Sequence, residues 1–190
     1  YDNTTALLTH AVNYEGSRDY IYNDINQLKE DLWSDNSGNV IRTQYASSLL
    51  GRQLSRKETI NGVTNNQATT TYHYDAQGRI SRMVQGALES SFTYDIFGRL
   101  HTTTTKDTST TKVSQLLTTL KYDFMGREVS RCMALNGQSL RTITQTWNIQ
   151  DLLESRHLQL GEKTLLKERF NYDSRGRLTE YECEGESLPK

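Results

Sequence analysis

Proline is almost absent from these 190 residues; the single one, Pro189, stands next to the last residue. Proline has no amide to give to a strand ladder, so its absence leaves every interior segment free to form sheet. Cysteine is scarce too. Cys132 and Cys183 are too few and too far apart for a disulfide framework, and two reduced, partly buried thiols are expected. Apolar residues make up 34% of the chain and mean hydropathy is −0.74, low values for a compact globule of this size. A sheet with one face covered and the other wet has such a composition, as does a sheet lining a large wet cavity. No apolar run reaches membrane-spanning length, and no signal peptide is visible. A net charge of −1 gives no bulk attraction to nucleic acid or to acidic membranes. There is no Gly-rich phosphate loop, nucleophile elbow or zinc-protease helix motif. His10, His73, His101 and His157 stand singly, without metal-ligand spacing. Neither an enzyme nor a cofactor is expected.

What is abundant is one short string. It occurs as Tyr74-Asp75-x-x-Gly78-Arg79-Ile80, Tyr94-Asp95-x-x-Gly98-Arg99-Leu100, Tyr122-Asp123-x-x-Gly126-Arg127-Glu128 and Tyr172-Asp173-x-x-Gly176-Arg177-Leu178. Altered copies keep the frame: Tyr22-Asn23-x-x-Asn26-Gln27-Leu28 and Trp147-Asn148-x-x-Asp151-Leu152-Leu153. Tyr1-Asp2-x-x-Thr5-Ala6-Leu7 reads as a worn copy, and Tyr45 to Gly51-Arg52-x-Leu54 as a copy with two extra residues in its turn. The leading aromatics fall at positions 1, 22, 45, 74, 94, 122, 147 and 172. So loose a period puts the length changes in loops, as in other repeat arrays.

The string has a physical meaning. Asp followed three residues later by Gly suits a type I turn that ends in a residue of positive φ. Asp accepts hydrogen bonds from the turn backbone, and Gly enters the left-handed region without steric cost. Asn and Asp are the next best residues there, and they stand at Asn26 and Asp151. The aromatic before the turn and the Ile or Leu after it then pack across the two strands of a hairpin.

A second set of turns lies between the first: Glu15-Gly16, Asn36-Ser37-Gly38-Asn39, Asn61-Gly62, Gln85-Gly86, Asn136-Gly137 and Gly161-Glu162. Asn-Gly is the strongest short hairpin signal. Between Tyr94 and Tyr122 the polar run Lys106-Asp107-Thr108-Ser109-Thr110-Thr111 takes that place, and Lys106–Lys112 reads as a solvated loop. Alternating turns describe a continuous antiparallel meander of roughly fifteen strands. Leucines cluster in helix-compatible fashion at 112–122 and 151–160, but both stretches lie between repeat turns and strand is favoured. One array over residues 1–190 is expected. So wide a sheet cannot stay flat; it must curl round or continue into more chain. The chain begins at Tyr1 without Met, inside what reads as a repeat, as expected of a piece of a longer protein.

Repeated Tyr-Asp pairs could be imagined as acids and nucleophiles. Catalysis needs a group once, near unlike partners, whereas these recur with the same partners, so turn capping and sheet packing are favoured. Arg79, Arg99, Arg127 and Arg177 could bind phosphates or anionic sugars. A ladder of Arg stacked on neighbouring Tyr rings, or paired with an acid of the next repeat, is favoured over that. Asn3-Thr4-Thr5 matches a glycosylation acceptor, a motif common by chance.

The Tyr-Asp-x-x-Gly-Arg-Leu string resembles the hallmark of the RHS or YD-repeat family over the whole chain. That family includes bacterial Rhs toxins, the B and C components of insecticidal toxin complexes, wall-associated proteins and the animal teneurins. The resemblance implies a long β-strip spiralling into a hollow shell. In bacterial members the shell encloses a toxic C-terminal polypeptide until delivery. It also implies a secreted protein whose partners are the rest of the shell, the enclosed toxin and the A- and C-type components. The stretch from Arg177 to Gly185 is similar to the repeat region of a toxin-complex (Tc toxin) B component. No autoprotease core, β-propeller or toxin domain is recognisable in these residues, so self-cleavage, gating and toxicity are not assigned to them. A wall segment is the leading expectation. The alternative is a carbohydrate- or receptor-binding repeat module, with exposed Tyr and Arg rows as its surface.

Overall fold

The structure is a computed structural model, and it describes residues 1–109, 111 and 114–185. Fifteen strands follow one another: β1 (His10–Asn13), β2 (Gly16–Tyr22), β3 (Leu28–Asp35), β4 (Val40–Ser47), β5 (Gln53–Ile60), β6 (Val63–Tyr74), β7 (Ile80–Gln85), β8 (Leu88–Tyr94), β9 (Leu100–Asp107), β10 (Ser114–Tyr122), β11 (Glu128–Leu135), β12 (Gln138–Trp147), β13 (Leu153–Leu160), β14 (Lys163–Tyr172) and β15 (Leu178–Gly185). They form one sheet whose spatial order is the chain order, an antiparallel meander. Both leucine-rich stretches are strands, β10 and β13. The chain divides into two compact units, Tyr1–Glu89 and Ser90–Lys190.

Within each unit the strands pack against their neighbours in chain order. The consequence is a sheet almost without a core. Leu120 is the one apolar residue buried among the described residues, while Asp31, Thr43, Thr70 and Glu168 are buried although polar. Stability must therefore come largely from bonds along the sheet and at its turns.

Five of the leading aromatics stand at an irregularity. Register shifts fall at Ile21/Tyr22, His73/Tyr74, Lys121/Tyr122, Thr146/Trp147 and Asn171/Tyr172. His73 faces Arg82 while Tyr74 faces Ile80, so Ser81 is the extra residue of a β-bulge. A bulge beside these turns bends the strand and re-aims the aromatic.

Two readings of the turns need correction. The copy near Tyr45 has no enlarged turn. Ser48 occupies the Asp position, with Gly51 N–H donating to Ser48 C=O and Ser48 N–H to Arg52 C=O. The extra residues extend β4, so Ser47 replaces the aromatic opposite Gln53. The worn first copy closes one residue later than the string suggests: Ala6, with φ 58°, takes the positive-φ position, and Asp2 N–H donates to Leu7 C=O. The polar run after β9 is also shorter than expected, since Lys106 and Asp107 pair with Gln115 and Ser114. Thr110 and Lys112 of that expected loop lie outside the described residues.

Candidate functional site

The recurring element is a turn with a fixed internal wiring. In the four Tyr-Asp copies the Asp N–H donates to the Arg C=O, and the Gly N–H donates back to the Asp C=O. The Asp Oδ1 accepts two more amides, as Asp123 does from Met125 and Arg127 at 2.9 and 3.0 Å. The second carboxylate oxygen receives the Arg side chain at 2.7 Å in each copy. Gly78, Gly98, Gly126 and Gly176 have φ between 75° and 89°, and Asn26 and Asp151 occupy the same region at 61° and 66°. Asn23 and Asn148 reproduce the Oδ1 half of the wiring. Arg therefore pairs with the acid of its own repeat in all four copies, and at Arg127 the expected pairing with an acid of the next repeat, Asp151, is present as well.

These contacts set the acid chemistry of the turn. At Asp75, Asp95 and Asp123 partial desolvation raises the pKa, but the amide and guanidinium bonds of the following Arg outweigh it and hold the carboxyl below its ordinary value. At Asp173 the Arg177 amide is the leading cause of the same lowering. The carboxylates are thereby kept ionised as acceptors, not poised as proton donors near neutrality.

Successive repeats are then tied together. Arg127 Nη1 reaches forward to Asn148 C=O at 2.9 Å and to Asp151 Oδ1 at 2.8 Å. Arg99 Nη1 does likewise to Asp123 C=O at 3.2 Å. Arg99 also lies over the Tyr122 ring, 4.6 Å from its centre, Arg127 over Trp147 and Arg52 over Tyr74. The stacking half of the expected ladder is thus present at these positions. Arg52 lies so close to Gly78 that a side-chain carbon there would collide with the guanidinium. Gly78 thus serves close approach as well as positive φ.

The aromatic ties backward. Tyr22 donates its hydroxyl to Leu8 C=O, Tyr74 to Gln53, Tyr122 to Leu100 and Tyr172 to Leu153, at 2.7 to 2.9 Å. Trp147 does the same through its indole N–H, to Glu128 C=O at 2.9 Å. Every acceptor is the residue just after the Arg position of the preceding turn. The aromatic thus bonds a carbonyl 14 to 22 residues away, a link invisible to local pattern.

The intervening turns use another device that the sequence did not announce. Asn136 accepts the Gln115 N–H on Oδ1 and returns its own N–H to Gln115 C=O, both at 2.8 Å. Asn61 does the same to Val40. Asn61-Gly62 and Asn136-Gly137 have positive φ at both residues, the geometry of a type I′ hairpin. The available signal was Asn, rather than another turn residue, at the first position. Gly16 departs from expectation: it opens β2 instead of closing a turn, and it lies where any side chain would meet the Ser34 carbonyl.

Two buried carboxylates were also missed. Asp31 accepts the Tyr45 hydroxyl at 2.7 Å and lies 3.9 Å from Arg18. Glu168 accepts Arg156 at 2.6 Å and the Tyr181 hydroxyl at 2.8 Å. The Arg156 bond, opposed by desolvation, lowers the Glu168 pKa. Each is a satisfied structural ion, since an unpaired buried charge is costly. The histidines do not converge; they lie on β1, β6, β9 and β13. Cys132 and Cys183 are both free thiols; Cys132 is half-buried as expected, whereas Cys183 is exposed on the last strand, β15.

An antiparallel meander whose Tyr-Asp-x-x-Gly-Arg turns are bonded in series defines a YD-repeat sheet protein. A family profile described as Teneurin YD-shell matches residues 1–188, and the chain belongs to that family. No curated protein matches it. Among solved structures it is similar to the crystal structure of TcdB2-TccC3 and to that of TcdB2-TccC3-Cdc42, in each case at 13% identity with a TM-score of 0.37. Those matches cover 92% of this chain and 12% of the other.

Proposed function

We propose that this chain is a segment of the wall of a YD-repeat shell that encloses and shields a toxic polypeptide of a bacterial toxin complex until delivery. The observation that carries this is a sheet bonded repeat to repeat, through Tyr hydroxyls and Arg side chains, with almost no core of its own. Such a sheet separates two spaces without filling either. Residues 1–190 act as one array within a longer secreted protein, most similar to a B component. Its partners are the rest of the shell, the enclosed chain and the A- and C-type components. Its work is exclusion and isolation, with no chemistry. The test is to image the full-length parent by electron microscopy with its cargo and to challenge it with protease. A lumen with protected cargo is expected; a solid particle, or cargo digested as fast as free chain, sinks the reading.

A second reading has one observation in its favour. Trp33, Arg18, Asp31, Thr43, Arg56 and Glu58 line an open depression of about 310 Å³, with an aromatic and paired charges side by side. That chemistry suits a saccharide or receptor group. Saturable binding on a glycan array, lost in Trp33→Ala, would favour it over the wall.

A further inference from the structure

Two tip residues lie between the Asp and Gly positions of each turn of the Tyr-Asp type; in three of the second unit's four such turns they are strongly apolar, and the fourth carries Ser174-Arg175. The tips are Ile96-Phe97, Phe124-Met125 and Ile149-Gln150. Ile96 is 93% exposed, Phe124 95% and Ile149 96%, with Phe97 at 75% and Met125 at 52%. Water-facing turns ordinarily carry small polar residues, and those at the opposite end of the strands do: Asn136-Gly137 and Gly161-Glu162. The apolar choice recurs in the first unit at Ile25, Leu49 and Leu50, whereas Ala76-Gln77 lacks it.

The three tips sit on alternate connections of the meander, and so at one end of the strands. Two strand spacings separate each from the next, about 9.6 Å. Arg99 and Arg127, each bonded to the next turn's backbone, hold that spacing. The result is a stiff comb of large apolar teeth. Its charges are already matched, Asp95 with Arg99 and Asp123 with Arg127.

We propose that this edge is a docking surface for the same edge of a second copy of the chain. Teeth at that pitch leave gaps wide enough for an Ile or Phe side chain, so a like comb offset by half a pitch interdigitates with it. Run antiparallel about a two-fold axis that passes between teeth, the two Phe124-Met125 tips lie side by side, and Ile149 of each copy enters the gap between Ile96-Phe97 and Phe124-Met125 of the other. Such a contact is self-complementary and closed. The five side chains expose roughly 700 Å² between them, taking about 150–250 Å² for a large apolar residue. That approaches the ~800 Å² per partner of a stable protein interface. Matched charges remove the repulsion that would otherwise oppose two like edges.

Sedimentation velocity of the 190-residue chain over a wide concentration range tests this. A reversible dimer is expected, at least ~50-fold weaker in Phe97→Ser/Phe124→Ser, whose exposed tips leave the strand spectrum unchanged. In a Cys132→Ser/Cys183→Ser background, Met125→Cys is expected to cross-link to itself under mild oxidation, and Asn136→Cys is not. A chain that stays monomeric overturns the proposal. Dimers that persist in the double serine variant overturn it too, since they point to pairing through the edge strands β1 or β15. Cross-linking of Asn136→Cys in preference to Met125→Cys also overturns it.

Discussion

The two ends of the strands solve one problem with different chemistry. At both, a side chain from one hairpin must hold the backbone of the hairpin before it. At the Tyr-Asp end this is a buried-stemmed hydroxyl, as Tyr122 to Leu100, with a carboxylate and a guanidinium locking the turn itself. At the Asn-Gly end it is a single carboxamide, as Asn136 to Gln115. The first device has its bond part-buried. The second stays exposed, where water competes. The lesson is that equal bond lengths need not carry equal weight.

Glycine is the place to break the comparison hardest. Gly78→Val puts a branched residue at φ 80° and displaces the Arg52 guanidinium that lies against it. A loss of about 2–3 kcal/mol in urea unfolding is expected. Gly137→Val meets strain at φ 83° but nothing within 4 Å, so its loss is expected nearer ~1 kcal/mol. Equal losses would deny the packing role of Gly78.

The ties themselves are expected to differ less. Tyr122→Phe keeps the ring under Arg99 and removes the hydroxyl, leaving the Leu100 carbonyl without that bond, at a cost of about 1 kcal/mol. Asn136→Gly keeps the backbone conformation and lets water replace the carboxamide, at a cost below ~0.5 kcal/mol. Denaturation midpoints of the two variants decide this, and the reverse order would refute the weighting.

Acid separates the two ends most gently. The turn carboxylates titrate lower in the native chain than the unfolded value of about 3.9. Their contribution is therefore fully present above about pH 4 and is lost as pH falls through the lower native value. Asn61 and Asn136 do not titrate. Asp35 and Asp107 are carboxylates at the Asn-Gly end, and both are also lowered, chiefly by side-chain bonds from Asn39 and Ser109. Asp123→Asn with Asp173→Asn is expected to leave stability at pH 7 little changed, since Asn23 and Asn148 serve in the same position, and to flatten its fall below pH 4. An acid limb as steep as in the parent chain would place the sensitivity elsewhere.

Reading the string Tyr-Asp-x-x-Gly-Arg was enough for the meander, because Asp, Gly and the Arg backbone close each turn within five residues. Asp123 bonds amides two and four positions on, and Gly126 closes the same turn. Reasoning over distance fared worse. The destination of the Tyr122 hydroxyl is 22 residues away and depends on a bulge. The copy at Ser48 was misread because the aromatic was taken as its marker, when the marker is an oxygen-bearing side chain four residues before Arg52. Asp31 and Glu168 were passed over because burial of a carboxylate depends on which Tyr and Arg the neighbouring strands bring beside it.

Since each strand touches the one just before it in sequence, the chain never has to wait for a distant segment in order to pair. Low contact order of this kind favours rapid closure. A nascent polypeptide could lay down each hairpin as it leaves the ribosome, fastening it to the last by a phenol or an indole. Assembly by accretion then demands little of chaperones, however many repeats an array contains.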